Sequence, residues 1–414
     1  MATALAGLRG TGEWPSSLAP ETMTGMLIKT RRAGMAPIFA LTEKGRNSTI
    51  TTPTFEWTSQ KEDVIILEMS AGVAAGDTLL TVTGDMPDTT DYSKQYGSAK
   101  MLKPGDILRV QPSTESASYD DELVLVEQVL GDTSLVVKRG FAGTTAASIS
   151  SGQKLLFIGS AYSEGSGGPR ATSLNPDVWE NYVQIFKESA EITTEEDIAN
   201  AKANIKSRMK FWADAMFKMS QGIEHAIMFG KKSSTVGSNG KPLRTMDGLR
   251  AFIPSSRTTI FSSAVTTNSL IDAIAPVFEY KGTAAGDERI MYVGNQAAVE
   301  LMKIFTADSN TDIIVDQKEE AYGVKFTTIR TILGDLYMKT HPLMTGNPLL
   351  SKSAFIIDYD AIEIRYLKGF KTKIKKNVQN ADEDLIRDLV ITKLGLQVHH
   401  GGLTMGYLGN ISAT

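Results

Sequence analysis

The chain has 414 residues, a formal net charge of −4 and no cysteine, so it can hold two or three domains, is no electrostatic trap for nucleic acid, and has no disulfide or thiolate chemistry. Hydrophobic residues at 42% and charged residues at 22% are ordinary for a globular protein. No apolar run is long enough to span a bilayer, no signal-peptide pattern opens the chain, and four histidines leave little material for acid–base or metal chemistry.

Residues 1–56 are interrupted by Gly7, Gly10, Gly12, Pro15, Pro20, Gly25, Gly34 and Pro37. The apolar stretches 26–28 and 38–41 are too short to build a core. The segment reads as an extended arm that is ordered by lying on something else, or as a disordered leader. Ile38, Phe39, Phe55 and Trp57 would be costly to leave in water, which favours the arm.

Residues 57–69 and 178–192 have strand character and predict a long antiparallel hairpin. Between them, Gly-Asp turns recur at Gly76-Asp77, Gly84-Asp85, Gly105-Asp106 and Gly131-Asp132. They separate short β-type runs at 78–83, 107–110, 123–129, 134–138 and 154–158. This pattern predicts a small closed or sandwiched β module over 71–160, at or near the hairpin tip.

A long helix follows. Ile198, Ala201, Ile205, Met209, Trp212, Met216, Met219, Ile223 and Ile227 recur at steps of three or four, the period of one helix face. Thr193 and Glu196 form a capping-box pattern, and Gly230 stops the helix beside Lys231 and Lys232. From Thr194 to Phe229 it would be about 54 Å long at about 1.5 Å per residue, a strut between two other parts.

After a Gly/Ser/Lys loop, Asp247-Gly248-Leu249 opens an α/β region. It holds a helix capped by Asn268 and running to Tyr280, and a strand at 289–293. A helix at 296–307 follows, with Ala298, Leu301, Met302 and Phe305 inward, then strands at 324–328 and 336–339. The tail is β again, with strands at 354–357 and 362–366, and a return at 385–399 that puts Leu394, Leu396 and Val398 on one face. These make a long hairpin beside the helix. Gly401–Thr414 is Gly-rich and is expected on a surface.

Chemistry is scarce. His399-His400-Gly401-Gly402 has the look of an oxyanion loop, but no G-x-S-x-G elbow exists. His225 lacks H-E-x-x-H spacing, and Gly237–Lys241 fails as a phosphate loop because Thr235 and Pro242 occupy its required positions. Glu195, Glu196 and Asp197 fit the first turn of a helix, where the dipole favours negative charge. No catalytic, cofactor or metal residue is nominated. Lys371, Lys373 and Lys375 share a side at strand spacing, with Lys368 and Lys376 nearby. They read as a solvated strand that discourages edge pairing, or as a contact for phosphate or an acidic partner.

The order of parts resembles the Hong Kong 97 fold of tailed-phage major capsid proteins. More narrowly it is similar to those whose β-hairpin carries an inserted β module. The phrases that carry the resemblance are Phe55-Glu56-Trp57, Pro104-Gly105-Asp106, residues 138–144 (KRGFAGT), residues 181–186 (NYVQIF), residues 224–230, Asp247-Gly248-Leu249, Tyr322-Gly323-Val324 and residues 401–411. The resemblance implies an α+β fold in six parts. These are an N-terminal arm (1–56), an extended-loop hairpin (57–70 and 170–193), an inserted barrel-like β domain (71–160), a spine helix and loop (194–244), an axial α/β domain (245–345), and a peripheral closing β-hairpin with tail (346–414).

It further implies a non-enzymatic subunit that self-assembles as hexamers and pentamers into an icosahedral head around double-stranded DNA, in the virion after assembly in a bacterial cytoplasm. A separate scaffolding protein, a portal and a decoration protein are the implied partners, with weak nonspecific contact to the DNA, no membrane and no cofactor. No Lys–Asn pair with an acidic catalyst can be nominated, so noncovalent assembly is expected. On this reading Ile198, Ile205, Met209, Trp212, Met216, Met219 and Ile223 form an assembly face on the helix, and Lys371, Lys373 and Lys375 a basic stripe on the inner surface. The alternative is a surface adhesin or carbohydrate-binding protein with its β module on a helical stalk. A hydrolase built on the α/β region has the least support.

Overall fold

The computed structural model describes residues 36–59, 66–83, 98–112, 121–169, 177–195, 197–198, 207–280, 288–307, 314–321, 324–331 and 333–412. The chain divides into two units, Met1–Ser59 with Val178–Thr414, and Gln60–Asp177. The expected arm over 1–35, Ile205 and Tyr322-Gly323 lie outside the described residues.

The two largest sheets of the larger unit have five and seven strands, and two further sheets have two strands each, Thr54–Ser59 with Asp177–Tyr182 and Ser233–Val236 with Pro242–Thr245. The five-stranded sheet is organised by one strand, Leu385–Val398, whose 14 residues include an almost continuous buried run in the C-terminal half. That is the pattern of a strand covered on both faces. Gln184–Thr193 pairs antiparallel with it over its first ten residues, from Gln184 opposite Leu394 to Thr193 opposite Leu385. On its other side lie Ile362–Leu367 and Lys373–Lys375, and Asn47–Ile50 adds a parallel strand at the far edge. The helix Ser207–Phe229 packs on this sheet through Ala215, Met219, Ile223 and Ile227, each four residues from the last, against Val390, Leu394, Leu396 and Val398.

The second sheet has seven strands, in the order Thr258–Ile260, Gly406–Gly409, Ala354–Ile357, Glu288–Val293, Gly334–Thr340, Val324–Thr331, Ile314–Ala321. Helices Thr267–Ile274 and Asn295–Ala307 cover it with Leu270, Ile274, Ala297 and Leu301, which meet Met291, Val293, Ile356 and Leu408. Thr266, not Asn268, caps the first of these helices, in a reciprocal bond with Ser269. On the second helix Ala298 and Leu301 are inward as expected, but Met302 is exposed and Ile304 takes the inward position.

Three expectations change. The segment 178–192 is not one hairpin strand. Asp177–Tyr182 pairs with Thr54–Ser59, while Gln184–Thr193 belongs to the five-stranded sheet. The break falls at Val183, whose N–H donates to the Pro53 carbonyl at 2.8 Å. Next, Ile38, Phe39, Phe55 and Trp57 are buried in the unit's own core and need no neighbour to cover them. Ile38–Leu41 lies in a helix, Pro37–Gly45. Finally, the Gly-rich tail is interior: residues 401–406 are buried and Gly406–Gly409 is the second strand of the seven-stranded sheet. Gly406 serves close packing there, since a Cβ would lie 2.7 Å from Val277 Cγ2.

The smaller unit has a six-stranded sheet in the order Ile66–Glu68, Lys154–Ser160, Asp106–Val110, Leu123–Val129, Ser134–Lys138, Leu79–Thr81. The first and last strands of this path also join. Met69 bridges Val82, Ser70 N–H donates to the Thr81 carbonyl at 3.0 Å and Thr83 N–H to the Glu68 carbonyl at 2.8 Å. Alternating residues turn inward, and Leu67, Leu80, Leu108, Val124, Leu135 and Leu155 form a core of their own.

Candidate assembly surfaces

Several phrases that carry the resemblance hold segments together. Asn181 is buried, and its amide donates to the carbonyls of Leu396 (2.7 Å) and Asp247 (3.1 Å) while accepting from Asp247 N–H at 2.9 Å. Gln184 Oε1 accepts from Met246 N–H at 3.1 Å, and Asp247 Oδ1 from Lys232 N–H at 2.6 Å. Thus residues 181–186 and 246–249 form one joint at the end of the long helix. In the smaller unit, Arg139 and Glu122 form a buried ion pair at 2.6 Å, and Glu122 also accepts from the N–H groups of Gly140 and Ala147, both at 3.1 Å. Burial opposes ionisation of Glu122, but the Arg139 guanidinium and these backbone donors outweigh it and hold its carboxyl below the ordinary range.

Glu224 is a joint that its sequence neighbours did not reveal. It is fully buried, and its oxygens accept from Ile38 N–H at 2.9 Å and Phe39 N–H at 2.8 Å, in the first turn of helix Pro37–Gly45. His341 Nε2 lies 2.8 Å from Glu224 Oε1 and donates to it. The negative carboxylate at the positive end of that helix joins three segments distant in sequence. The available sequence signal was a lone acid on the inward side of an amphipathic helix, which a spacing search for metal or catalytic motifs passes over.

The long helix presents two kinds of apolar residue. On Ser207–Phe229, Met219 and Ile223 are 5% and 0% exposed and belong to the core, whereas Met209 and Met216 are 61% and 37% exposed; Ile198, which lies ahead of that helix, is 57% exposed. Trp212 is half-buried, and its indole N–H donates to Asp388 at 2.5 Å. Asp388 also takes two bonds from Arg208, each 2.7 Å, and one from Asn377 N–H at 2.9 Å. Burial raises the Asp388 pKa, yet these donors prevail and hold the carboxyl below its ordinary value. The helix is therefore pinned to the central strand at this point, with Met209 and Met216 left in solvent.

Lys373 and Lys375 lie opposite Ile391 and Leu389 on the central strand, so they share one face of the five-stranded sheet. Lys371 precedes the strand and turns to Glu43 at 3.6 Å. Lys187 stands on the other side of Ile391, and Lys393 lies over the Phe370 ring at 3.7 Å, with Lys373 at 5.8 Å from the same ring. Because Asp388 and Val390 face the helix, alternation puts Leu389, Ile391 and the lysines beside them on the opposite face.

His399–Gly402 is a tight turn with positive φ at His400, Gly401 and Gly402, and burial pushes the His399 pKa down. Among the described residues no group of His, Asp and Glu could hold a metal, and no helix is long and apolar enough to cross a membrane.

A family model described as SU10 major capsid protein matches residues 8–411. The chain belongs to this family. It is similar to the major capsid protein of Pseudomonas phage PaMx41, at 25% identity over 389 residues, covering 92% of this chain and 86% of that one. Among solved structures it is similar to a chain of Mycobacterium phage Cain, with 8% identity and a TM-score of 0.45 over 94% of this chain and 93% of that chain. It is also similar to the holo-SrpI encapsulin complex from Synechococcus elongatus PCC 7942, with 12% identity and a TM-score of 0.39 over 57% of this chain and 76% of that chain. The subunit is a major capsid protein that forms the shell of a phage head, is located in the virion and has a structural, non-enzymatic role. Family membership sets the adhesin and hydrolase readings aside. The mixed α+β fold, with its long helix before an α/β region and a closing pair of strands, has the element order of the Hong Kong 97-type capsid fold.

Proposed function

We propose that the subunit tiles an icosahedral head as hexamers and pentamers. In this reading, residues 1–56 are the arm and 57–70 with 170–193 the extended loop. Residues 71–160 are a β-barrel domain inserted into that loop, 194–244 the spine helix and its loop, 245–345 the axial domain, and 346–414 the peripheral closing domain. The single observation that carries it is the family match over nearly the whole chain, 8–411. The ring of paired strands within 66–160 supports the inserted barrel.

Met209 and Met216, with Ile198, are the part of the spine's apolar stripe that a neighbour covers. Burying them between subunits is favourable by about 25 cal/mol per Å² of apolar surface, and symmetric repetition lets one such patch close a shell. A separate scaffolding protein, a portal and a decoration protein complete the head, and contact with the packaged DNA is weak and nonspecific.

Electron microscopy of the purified full chain, alone and with a scaffolding protein, tests the proposal. Icosahedral particles, tubes or isolated capsomers are expected. A species that stays monomeric under all assembly conditions would overturn it.

A further inference from the structure

The sequence contains a single Asn-Gly pair, Asn239-Gly240, and the fold places it at the tip of an exposed hairpin. Ser233–Val236 and Pro242–Thr245 pair antiparallel just after the long helix, with Val236 opposite Pro242. Gly237 N–H donates to the Lys241 carbonyl at 2.8 Å and Gly240 N–H to the Gly237 carbonyl at 2.9 Å, which closes the turn. Gly240 has φ +70, a left-handed backbone that suits glycine, and a Cβ there would meet nothing within 4 Å. The peptide at the tip is thus held by one backbone bond of its own and stands in open space.

Asn239 is exposed, and its Oδ1 accepts from Lys241 N–H at 3.1 Å. That bond brings the side chain back over the Gly240 peptide and draws electron density from Cγ. Charge favours attack on Cγ as well. Residues 231–246 hold Lys231, Lys232, Lys241 and Arg244 and no carboxylate, and positive surroundings stabilise an anionic backbone nitrogen. Other asparagines are withheld from such chemistry. Asn181 is buried with its amide bonded, Asn410 Nδ2 donates to the Phe261 carbonyl at 2.7 Å, and Asn347 precedes Pro348, which has no N–H.

We propose that Asn239 is a deamidation site, at which the hairpin tip converts spontaneously to aspartate and isoaspartate. Hydroxide removes the Gly240 amide proton once the bond to the Gly237 carbonyl opens. The nitrogen then attacks Asn239 Cγ. The new N–Cγ bond forms as the Cγ–Nδ2 bond breaks, and Nδ2 takes up a proton and leaves as ammonia. Water next opens the cyclic imide at either carbonyl. Opening at Cγ leaves aspartate in the original backbone, whereas opening at the α-carbonyl leaves isoaspartate, whose backbone is longer by a methylene. Either product puts a carboxylate on a cationic hairpin, and isoaspartate also breaks the register between Gly237 and Lys241. The modification acts on the free subunit and is independent of the shell reading.

The test is incubation of the folded full-length chain at neutral and at mildly alkaline pH, with peptide mapping by mass spectrometry and enzymatic methylation of isoaspartate. Asn239 is expected to convert before any other asparagine of the chain, faster at the higher pH, with isoaspartate the larger product. Gly240→Ala should slow conversion severalfold, because a methyl group hinders attack, and Asn239→Gln should abolish methylation at the tip. Both variants should keep the wild-type circular dichroism, since residues 233–245 belong to neither core of the larger unit.

An asparagine elsewhere that converts first in the folded chain would overturn the proposal. So would an Asn239 that keeps its amide while a synthetic peptide of residues 233–245 loses it, which would show that the turn locks the Gly240 N–H in place. Conversion of Gly240→Ala at the wild-type rate would equally overturn it, by excluding attack from this nitrogen.

Discussion

Residue-scale contacts decide where the larger unit is most easily broken. Glu224 is buried with three donors around it, so Glu224→Ala would leave Ile38 N–H, Phe39 N–H and His341 without their acceptor. The expected loss is on the order of 3–5 kcal/mol, read as a lower melting temperature together with faster proteolysis between residues 36 and 46. Proteolysis at wild-type rate would show that helix Pro37–Gly45 is held by its apolar side alone.

Asp388 makes a pH prediction. Its carboxyl is held below the ordinary value, so it binds its proton less readily folded than unfolded. The stability it contributes is fully present above the unfolded pKa of about 3.9 and is lost as pH falls through the lower, folded value. Between pH 5 and 2, wild-type stability should therefore fall more steeply than that of Asp388→Asn, as followed by urea denaturation at each pH. Parallel acid limbs would remove Asp388 from the account.

At the scale of elements, the long helix separates folding from assembly. Ile223→Asp places a carboxylate in the sealed core and should prevent folding. Met216→Asp, on the partly exposed part of the same stripe, should leave a folded subunit that assembles poorly. Circular dichroism and sedimentation separate the two outcomes, and normal particles from Met216→Asp would show that this stretch faces solvent in the shell. The helix period was legible because the inward positions recur without a break from Ala215 to Ile227. The stripe alone could not say which of its residues are covered within the subunit, because Met209, Met216 and Ile223 share one phase of the period and differ only in what the fold brings next to them.

The strands were less legible. Residues 401–414 read as a surface tail because glycines mark loops, yet the same residue type is required where neighbouring elements approach within a Cβ radius, as at Gly406. Gly395 on the central strand is the parallel case, with Phe55 Cε1 2.5 Å from where its Cβ would be. Gly395→Val should cost about 1–3 kcal/mol or more through overpacking, seen as a lower denaturation midpoint. An unchanged midpoint would show that Phe55 can move aside.

At the scale of the whole molecule, the two units keep separate cores, that of the smaller running from Leu67 to Leu155. Replacing residues 66–160 by a short polar linker should leave a larger unit that still unfolds cooperatively. A non-cooperative thermal transition would show that its core depends on the excised residues.

The sequence by itself determined the long helix, the run of short strands between Gly-Asp turns, the absence of thiol chemistry and the order of parts that resembles a capsid subunit. These are properties of period, turn residues and composition, each readable within a window of a few turns or strands. Only the tertiary structure decided that Gln184–Thr193 leaves its expected partner for Leu385–Val398, that Glu224 receives a helix 185 residues away, and that Lys187 and Lys393 stand beside Lys373 and Lys375. Such contacts depend on which distant segments supply the complementary hydrogen bonds and surface. No local pattern contains that information, since the free energy that selects them is shared between both partners.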